Sequence, residues 1–183
     1  MSSRLILNHT LFDITINRLC YELIENHNDF SDTVIIGLQP RGIYLANRIK
    51  EKLKGFLPGF EILQGNLDIT FFRDDFRRRE HVIVPSSTQI DFIIEKKKVV
   101  LVDDVLHTGR TIRAALDAIL AFGRPAKVEL LTLIDRKFSR DLPIEPNYTG
   151  MAIDTILSDK VRVTWKETEG SDEVWLFTQE REE

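Results

Sequence analysis

The chain is poor in cysteine, proline and long apolar runs. One cysteine, Cys20, in 183 residues leaves no partner for an intramolecular disulfide and fits a reducing, cytoplasmic setting. Cys20 falls on a helical pattern, which reads as a buried structural thiol rather than a nucleophile. Cysteine and histidine form no metal-ligand spacing. No apolar segment approaches the roughly 20 residues that a membrane span needs. No basic segment followed by an apolar one opens the chain, so no secretory signal is expected. The 25 basic residues fall short of the 29 acidic ones, a net charge of −4, which withholds the usual electrostatic footprint of nucleic-acid binding. What is present is a 43% apolar fraction, enough for an ordinary core, over about one domain's length. The chain is read as a single domain, 1–183.

The most informative stretch is VVLVDDVLHTGRTIRAA, Val99 to Ala115. Val99 to Val102 read as a buried strand, and Asp103 and Asp104 sit where that strand would emerge. The turn His107-Thr108-Gly109-Arg110-Thr111 follows. A helix then begins, with Ile112, Ala115, Leu116, Ile119 and Leu120 on its apolar face. Free amides at a helix start attract phosphate, and the Thr108 and Thr111 hydroxyls add donors. Adjacent carboxylates accept hydrogen bonds from a vicinal diol. Taken singly, each half reads as a solvated strand end or a helix cap. Together they describe a site for a ribose 5-phosphate. The turn is neither a P-loop nor a dinucleotide fingerprint.

Upstream, Asn8 is placed to cap a helix carrying Phe12, Ile16, Leu19, Cys20, Leu23 and Ile24. Val34 to Ile36 read as a strand, followed by the turn Gly37 to Gly42 and a helix with Leu45, Ala46, Ile49 and Leu53 inward. This order predicts an α/β parallel sheet, with ligands beyond the strands' carboxyl ends. Gly42 permits close backbone approach, Arg41 suits phosphate, and Gln39–Pro40 is a candidate cis peptide. Asn66 to Phe72 alternates like a strand. A dense charge mixture, Arg73 to Glu80, follows it, and Val82–Val84 and Phe92–Ile94 read as return strands. Lys96 to Lys98 reads as an exposed turn. Val128 to Ile134 is another buried strand, ending in Asp135-Arg136. Val161–Trp165 and Val174–Phe177 read as terminal strands joined by a polar loop, and the acidic tail from Glu180 reads as frayed.

The blocks GLQPRGIYLANRI, GNLDITFFRDDF, VLVDDVLHTGRT and GRPAKVELLTLIDR resemble the type I phosphoribosyltransferases in order and motif. Within that family they are most similar to the PyrR group, pyrimidine-operon regulators that are also uracil phosphoribosyltransferases. The resemblance implies a central parallel sheet flanked by helices, with a β-rich flap or hood including residues 65–95. It implies binding of 5-phosphoribosyl 1-diphosphate (PRPP) by Asp103, Asp104, Val105, Leu106, His107, Thr108, Gly109, Arg110 and Thr111, and by Pro40, Arg41 and Gly42. Asp104 and Arg73 are the implied catalytic pair, and Asp135 and Arg136 lie toward the nucleobase pocket. Mg²⁺ is expected with PRPP, held by its oxygens and by water. Residues 73–88 are expected to close over the ligand. The implied reaction is uracil plus PRPP giving UMP and pyrophosphate, in a homo-oligomer. The alternatives are a UMP-sensing RNA-binding attenuator and a transferase for another base.

Two departures bear on function. The family's Asp-Arg-Gly-His-Arg-Glu-Leu-Pro becomes Asp135-Arg136-Lys137-Phe138-Ser139-Arg140-Asp141-Leu142-Pro143, one residue longer and without the histidine. His107 stands where the family usually has tyrosine. On the face that the resemblance assigns to RNA, this chain has Asn17, Tyr21, Asn26, Glu145 and Met151, with Arg18 and Arg140 remaining. RNA binding is therefore expected to be weak.

Overall fold

The computed structural model describes residues 2–73, 87–156 and 158–178. Two sheets make up the molecule. The first is parallel, with five strands in the order β3-β2-β4-β5-β6. Its strands are β2 (Thr33–Leu38), β3 (Gln64–Leu67), β4 (Lys98–Leu106), β5 (Lys127–Lys137) and β6 (Tyr148–Asp154). The second is antiparallel, in the order β1-β8-β7, from β1 (Ser2–Leu7), β7 (Lys160–Thr164) and β8 (Glu173–Thr178). The helices are α1 (His9–His27), α2 (Gly42–Phe56), α3 (Arg110–Ile119) and the single turn α4 (Lys166–Glu169). Among the described residues, no helix is long and apolar enough to cross a membrane.

β4 is central because both of its faces are apolar. Val100 and Val102 join the core under α1 and α2, while Val99 and Leu101 join the core under α3. Burial on both faces is why this strand reads as a continuous apolar run rather than an alternating one. α1 starts where expected, since Asn8 accepts a hydrogen bond from the Leu11 amide at 3.0 Å. α2 buries Leu45, Ala46, Ile49 and Leu53. The antiparallel sheet is fastened to these helices through Trp165. Phe12 meets that indole edge-on at 5.3 Å, and the Arg48 guanidinium lies 5.2 Å from its centroid. Arg48 also bonds Glu167 at 2.8 Å and Asp172 at 2.6 Å.

Several local expectations are corrected. The strand expected over Asn66–Phe72 is β3, Gln64–Leu67, followed by a 3-10 turn at Thr70–Phe72. Phe92–Ile94 is not a strand; among the described residues the pairing in that region is an isolated bridge between Asn66 and Gln89. Leu116 and Leu120 are exposed, and Ala114 and Ala118 are buried in their place. The polar loop before β8 contains α4. The charged stretch 74–86, which includes the expected Val82–Val84 strand and most of the segment 73–88 expected to close over the ligand, lies outside the described residues, as does the tail from 179.

Candidate active site

The β2–β4 ladder ends at the Gly37–Val102 pair, while β4–β5 pairing continues to Leu106–Asp135. β4 therefore projects past its neighbour and carries Asp103 and Asp104 along the edge of the β2–α2 turn. The strand runs through the acidic pair rather than ending before it, which corrects the expected boundary. Both residues are buried, Asp103 at 8% and Asp104 at 9% exposure. The Asp104 amide donates to Asp103 Oδ1 at 3.0 Å. Burial, reinforced by the Asp104 charge, pushes the Asp103 carboxyl well above the ordinary range. Burial also raises Asp104, and Arg41 opposes it.

The opposite wall is the turn into α2. The Gln39–Pro40 bond is cis, as the sequence allowed. A Cβ at Gly42 would lie 2.3 Å from the Val102 carbonyl oxygen, so only glycine lets α2 start against β4. This contact sets Arg41 beside the acidic pair. Arg41 Nε donates to Asp104 Oδ2 at 3.1 Å. Its terminal nitrogens donate to Glu169 Oε1 at 3.3 Å and to the Val163 carbonyl. The second sheet thus reaches the site through Glu169 and Val163, neither of which the sequence reading had singled out. The only available signal was an acidic run between two strand patterns.

At the far end of β4, Gly109 adopts φ 90°, a left-handed conformation suited to glycine, and precedes the first turn of α3. The helix start lacks a side-chain cap; the Arg110 amide lies 3.4 Å from Thr108 Oγ1. Arg73 Nη1 donates to Thr111 Oγ1 at 3.2 Å, and its charge acts on Asp103. Asp103, Asp104, Arg41, Arg73, Thr108 and Thr111 therefore border one region. Hydroxyls and helix amides stand at one end, two carboxyls in the middle and two guanidinium groups alongside. Such a region takes a polyanion that also carries a diol.

Asp135, Arg136 and Arg140 are engaged in contacts within the chain. Asp135 is fully buried between Lys137 Nζ, 2.7 Å away, and Arg140. Arg136 is 5% exposed and donates to Thr155 Oγ1 at 3.2 Å, the Ile156 carbonyl at 3.3 Å and the Asp159 carbonyl at 2.9 Å. It ties down the loop after β6. Arg140 is not held out for a partner molecule. It donates to Asp135 and to the carbonyls of Leu106, His107, Arg136 and Ile144. Among the described residues, no group of three histidine, cysteine or acidic side chains is arranged to hold a metal ion.

The chain matches known proteins across nearly its whole length. The profile described as "Phosphoribosyl transferase domain" matches residues 3–167. "Bifunctional protein PyrR" of Desulfosudis oleivorans is 48% identical over 161 residues, 88% of each chain. The "Pyrimidine operon regulatory protein" of Lactococcus lactis is 43% identical over 176 residues, 96% of this chain and 98% of that one. In three dimensions the chain resembles the hypoxanthine phosphoribosyltransferase of Trypanosoma cruzi, with a TM-score of 0.71 at 13% identity over 97% of both chains, a likeness of fold alone. Identity at that level over nearly full length, on a parallel sheet with an acidic pair at its mouth, places the chain in the type I phosphoribosyltransferase family, among the PyrR proteins.

Proposed function

We propose that this protein transfers the 5-phosphoribosyl group of PRPP to uracil, giving UMP and pyrophosphate. The observation that carries this reading is the Asp103–Asp104 pair, buried beside Arg41 and one turn from the open start of α3. The 5-phosphate goes to the amides and hydroxyls of Thr108, Gly109, Arg110 and Thr111, with the backbone of Val105, Leu106 and His107 leading into that cradle. Asp103 accepts from the ribose diol. Asp104 faces the positive charge that develops on the ribose ring as C1′ separates from its leaving group. Arg41 and Arg73 take the pyrophosphate, and the Pro40–Gly42 turn lets it approach the backbone. A Mg²⁺ brought by PRPP would be held mainly by its oxygens and by water beside Asp103 and Asp104, and would supply charge neutralisation for the diphosphate. Oxygen-only donors such as these carboxyls are compatible with that ion.

The choice of uracil is supported by the relatives named bifunctional PyrR proteins. A panel of nucleobases with PRPP and Mg²⁺, read as pyrophosphate release, tests it; uracil should exceed every other base. Turnover confined to a purine would refute that choice.

The name of one relative, "Pyrimidine operon regulatory protein", also favours a second role in regulating pyrimidine genes, for which RNA would be the partner. For this chain we propose that catalysis dominates. Arg140 is consumed internally, and Arg18 donates to the Thr149 and Gly150 carbonyls and to Glu22. Few basic groups on that face are left to release counterions from RNA. Titration with the organism's own pyrimidine leader transcripts, with and without UMP, should give weak, strongly salt-dependent binding. Tight, UMP-enhanced, sequence-selective binding would make regulation the main role.

A further inference from the structure

The His107 turn, the loop 138–144 and residues Thr155, Ile156 and Asp159 follow the carboxyl ends of β4, β5 and β6. Arg136 lies buried among them, bonded to Thr155, Ile156 and Asp159 as described. Two buried polar atoms here have no hydrogen-bond partner among the described residues: His107 Nε2 and Asp159 Oδ1. Both residues feel the Arg136 charge. Neither is loosely held. The His107 carbonyl accepts from Arg140, and the other Asp159 oxygen accepts from the Ile156 amide at 2.9 Å.

A buried polar atom without a partner costs about 1–3 kcal/mol, and native structures contain few of them. Two within reach of one cation's charge, beyond the carboxyl ends of the same sheet, need an explanation. A ligand that donates to both supplies one. Burial first, and then Arg136 and Arg140, hold the His107 imidazole below its ordinary range, with Asp141 opposing. The ring is thus neutral at neutral pH. With its proton on Nδ1, it presents Nε2 as an acceptor.

We infer that His107 Nε2 takes the proton from the attacking ring nitrogen of the nucleobase, while Asp159 Oδ1 accepts a second N–H. This rests on the phosphoribosyl transfer proposed above. The ligand class is a pyrimidine with two ring N–H donors, as in uracil. Cytosine offers a bare acceptor at the second position and is disfavoured. In the step, the base N1–H bond breaks and its proton passes to Nε2. The N1 electron pair forms the bond to C1′. The C1′–O bond breaks, and its electrons leave with pyrophosphate. The imidazolium then returns its proton to water.

The test compares the wild type with His107→Phe, His107→Gln and Asp159→Asn, using kcat/KM for uracil and for cytosine between pH 5 and 9, with thermal melting as the check on folding. Loss of a proton acceptor should cut kcat/KM for uracil about 100-fold or more in His107→Phe. The fall in rate on the acid side below pH 6.5 should also disappear. His107→Gln, which keeps an acceptor but does not titrate, should hold the uracil KM and lose the same pH dependence; it serves alone if the phenylalanine variant does not fold. Asp159→Asn should reduce the uracil-to-cytosine preference at least about tenfold. Histidine variants within threefold of wild type and with its pH profile would overturn the role of His107. An unchanged base preference in Asp159→Asn would overturn that of Asp159. A wild type that turns over no base would overturn the transfer reading and this inference with it.

Discussion

Replacing His27 by glutamine perturbs a polar cluster at the amino end of the parallel sheet, away from the site. His27 lies near the end of α1 with its side chain 1% exposed. Its Nε2 lies 2.9 Å from Glu129 Oε2, and its Nδ1 lies 3.1 Å from Thr33 Oγ1. Tyr148 donates to the same Glu129 oxygen at 3.2 Å, and Lys127 pairs with the other. Burial lowers the His27 pKa below 6.5, with Glu129 opposing, so the ring is neutral at pH 7. Burial works against ionised Glu129, but Lys127, His27 and Tyr148 together hold its carboxyl below the usual value. Glutamine cannot serve both ring contacts. A lost hydrogen bond to a charged group is worth about 1.5–3 kcal/mol. In a chain of this size that lowers Tm by roughly 3–10 °C. The sign of the pH effect follows from linkage. Below pH 6.5 the unfolded chain binds a proton on His27 that the native state excludes, so this group's contribution to stability falls as pH drops. The full slope is about 1.4 kcal/mol per pH unit, lost in the variant. His107 titrates in the same direction, and Asp103 and Asp104, whose pKa values are raised, titrate in the opposite one. The difference between wild type and variant is therefore the quantity to measure, by urea denaturation from pH 5 to 8. Parallel stability curves, differing by a constant, would refute the titration argument. Coincident curves would refute the whole account of the cluster.

Gly42→Ala should destabilise the fold by about 1–3 kcal/mol and weaken PRPP binding, because the new methyl overlaps the Val102 carbonyl; melting and calorimetry check the two effects. Glu169→Gln should change stability by less than about 1 kcal/mol, since its partner Arg41 is 38% exposed, yet lower the PRPP KM about two- to fivefold by removing a competitor for Arg41. Asp103→Asn with Asp104→Asn should cut pyrophosphate release by about 100-fold or more while leaving Tm unchanged or higher, because it removes charges that burial disfavours. Retained turnover in that double variant would assign the diol and charge roles elsewhere.

Where one physical signal dominated, the sequence was legible. The apolar run of β4, the Asn8 cap, the inward face of α2 and the close approach at Gly42 were all readable from neighbours in the chain. α3 shows the limit of that approach. The larger residues Leu116 and Leu120 weighed more in the pattern than Ala114 and Ala118, yet the small side chains are the ones that face the sheet. β1 and β6 gave no signal, because each is an edge strand with several exposed or half-buried positions, defined by the partner it pairs with. The internal bonds of Arg140 were hidden for a related reason. A basic residue in a polar segment reads as surface until the carbonyls around it are known.

Glu169, the contact least visible in the sequence, changes how the site is understood. Asp104 and Glu169 are far apart in the chain and belong to different layers, yet both carboxyls meet the same guanidinium. Arg41 is thus already balanced by two acids, one contributed by each half of the molecule. A diphosphate reaching it does not meet a bare cation. Of the two contacts, the Glu169 one is partly exposed and the cheaper for an incoming anion to break, while the Asp104 one is more buried and holds the side chain in place. An anion taking that place would exchange ligand charge for protein charge at one residue, with little net desolvation. Arg41 keeps its contact with the Val163 carbonyl, and Arg48 still pairs with Glu167 of α4 and with Asp172. Arg41 is thus one of several side chains, with Arg48 and Trp165, that join the two layers, and it does so at the site itself.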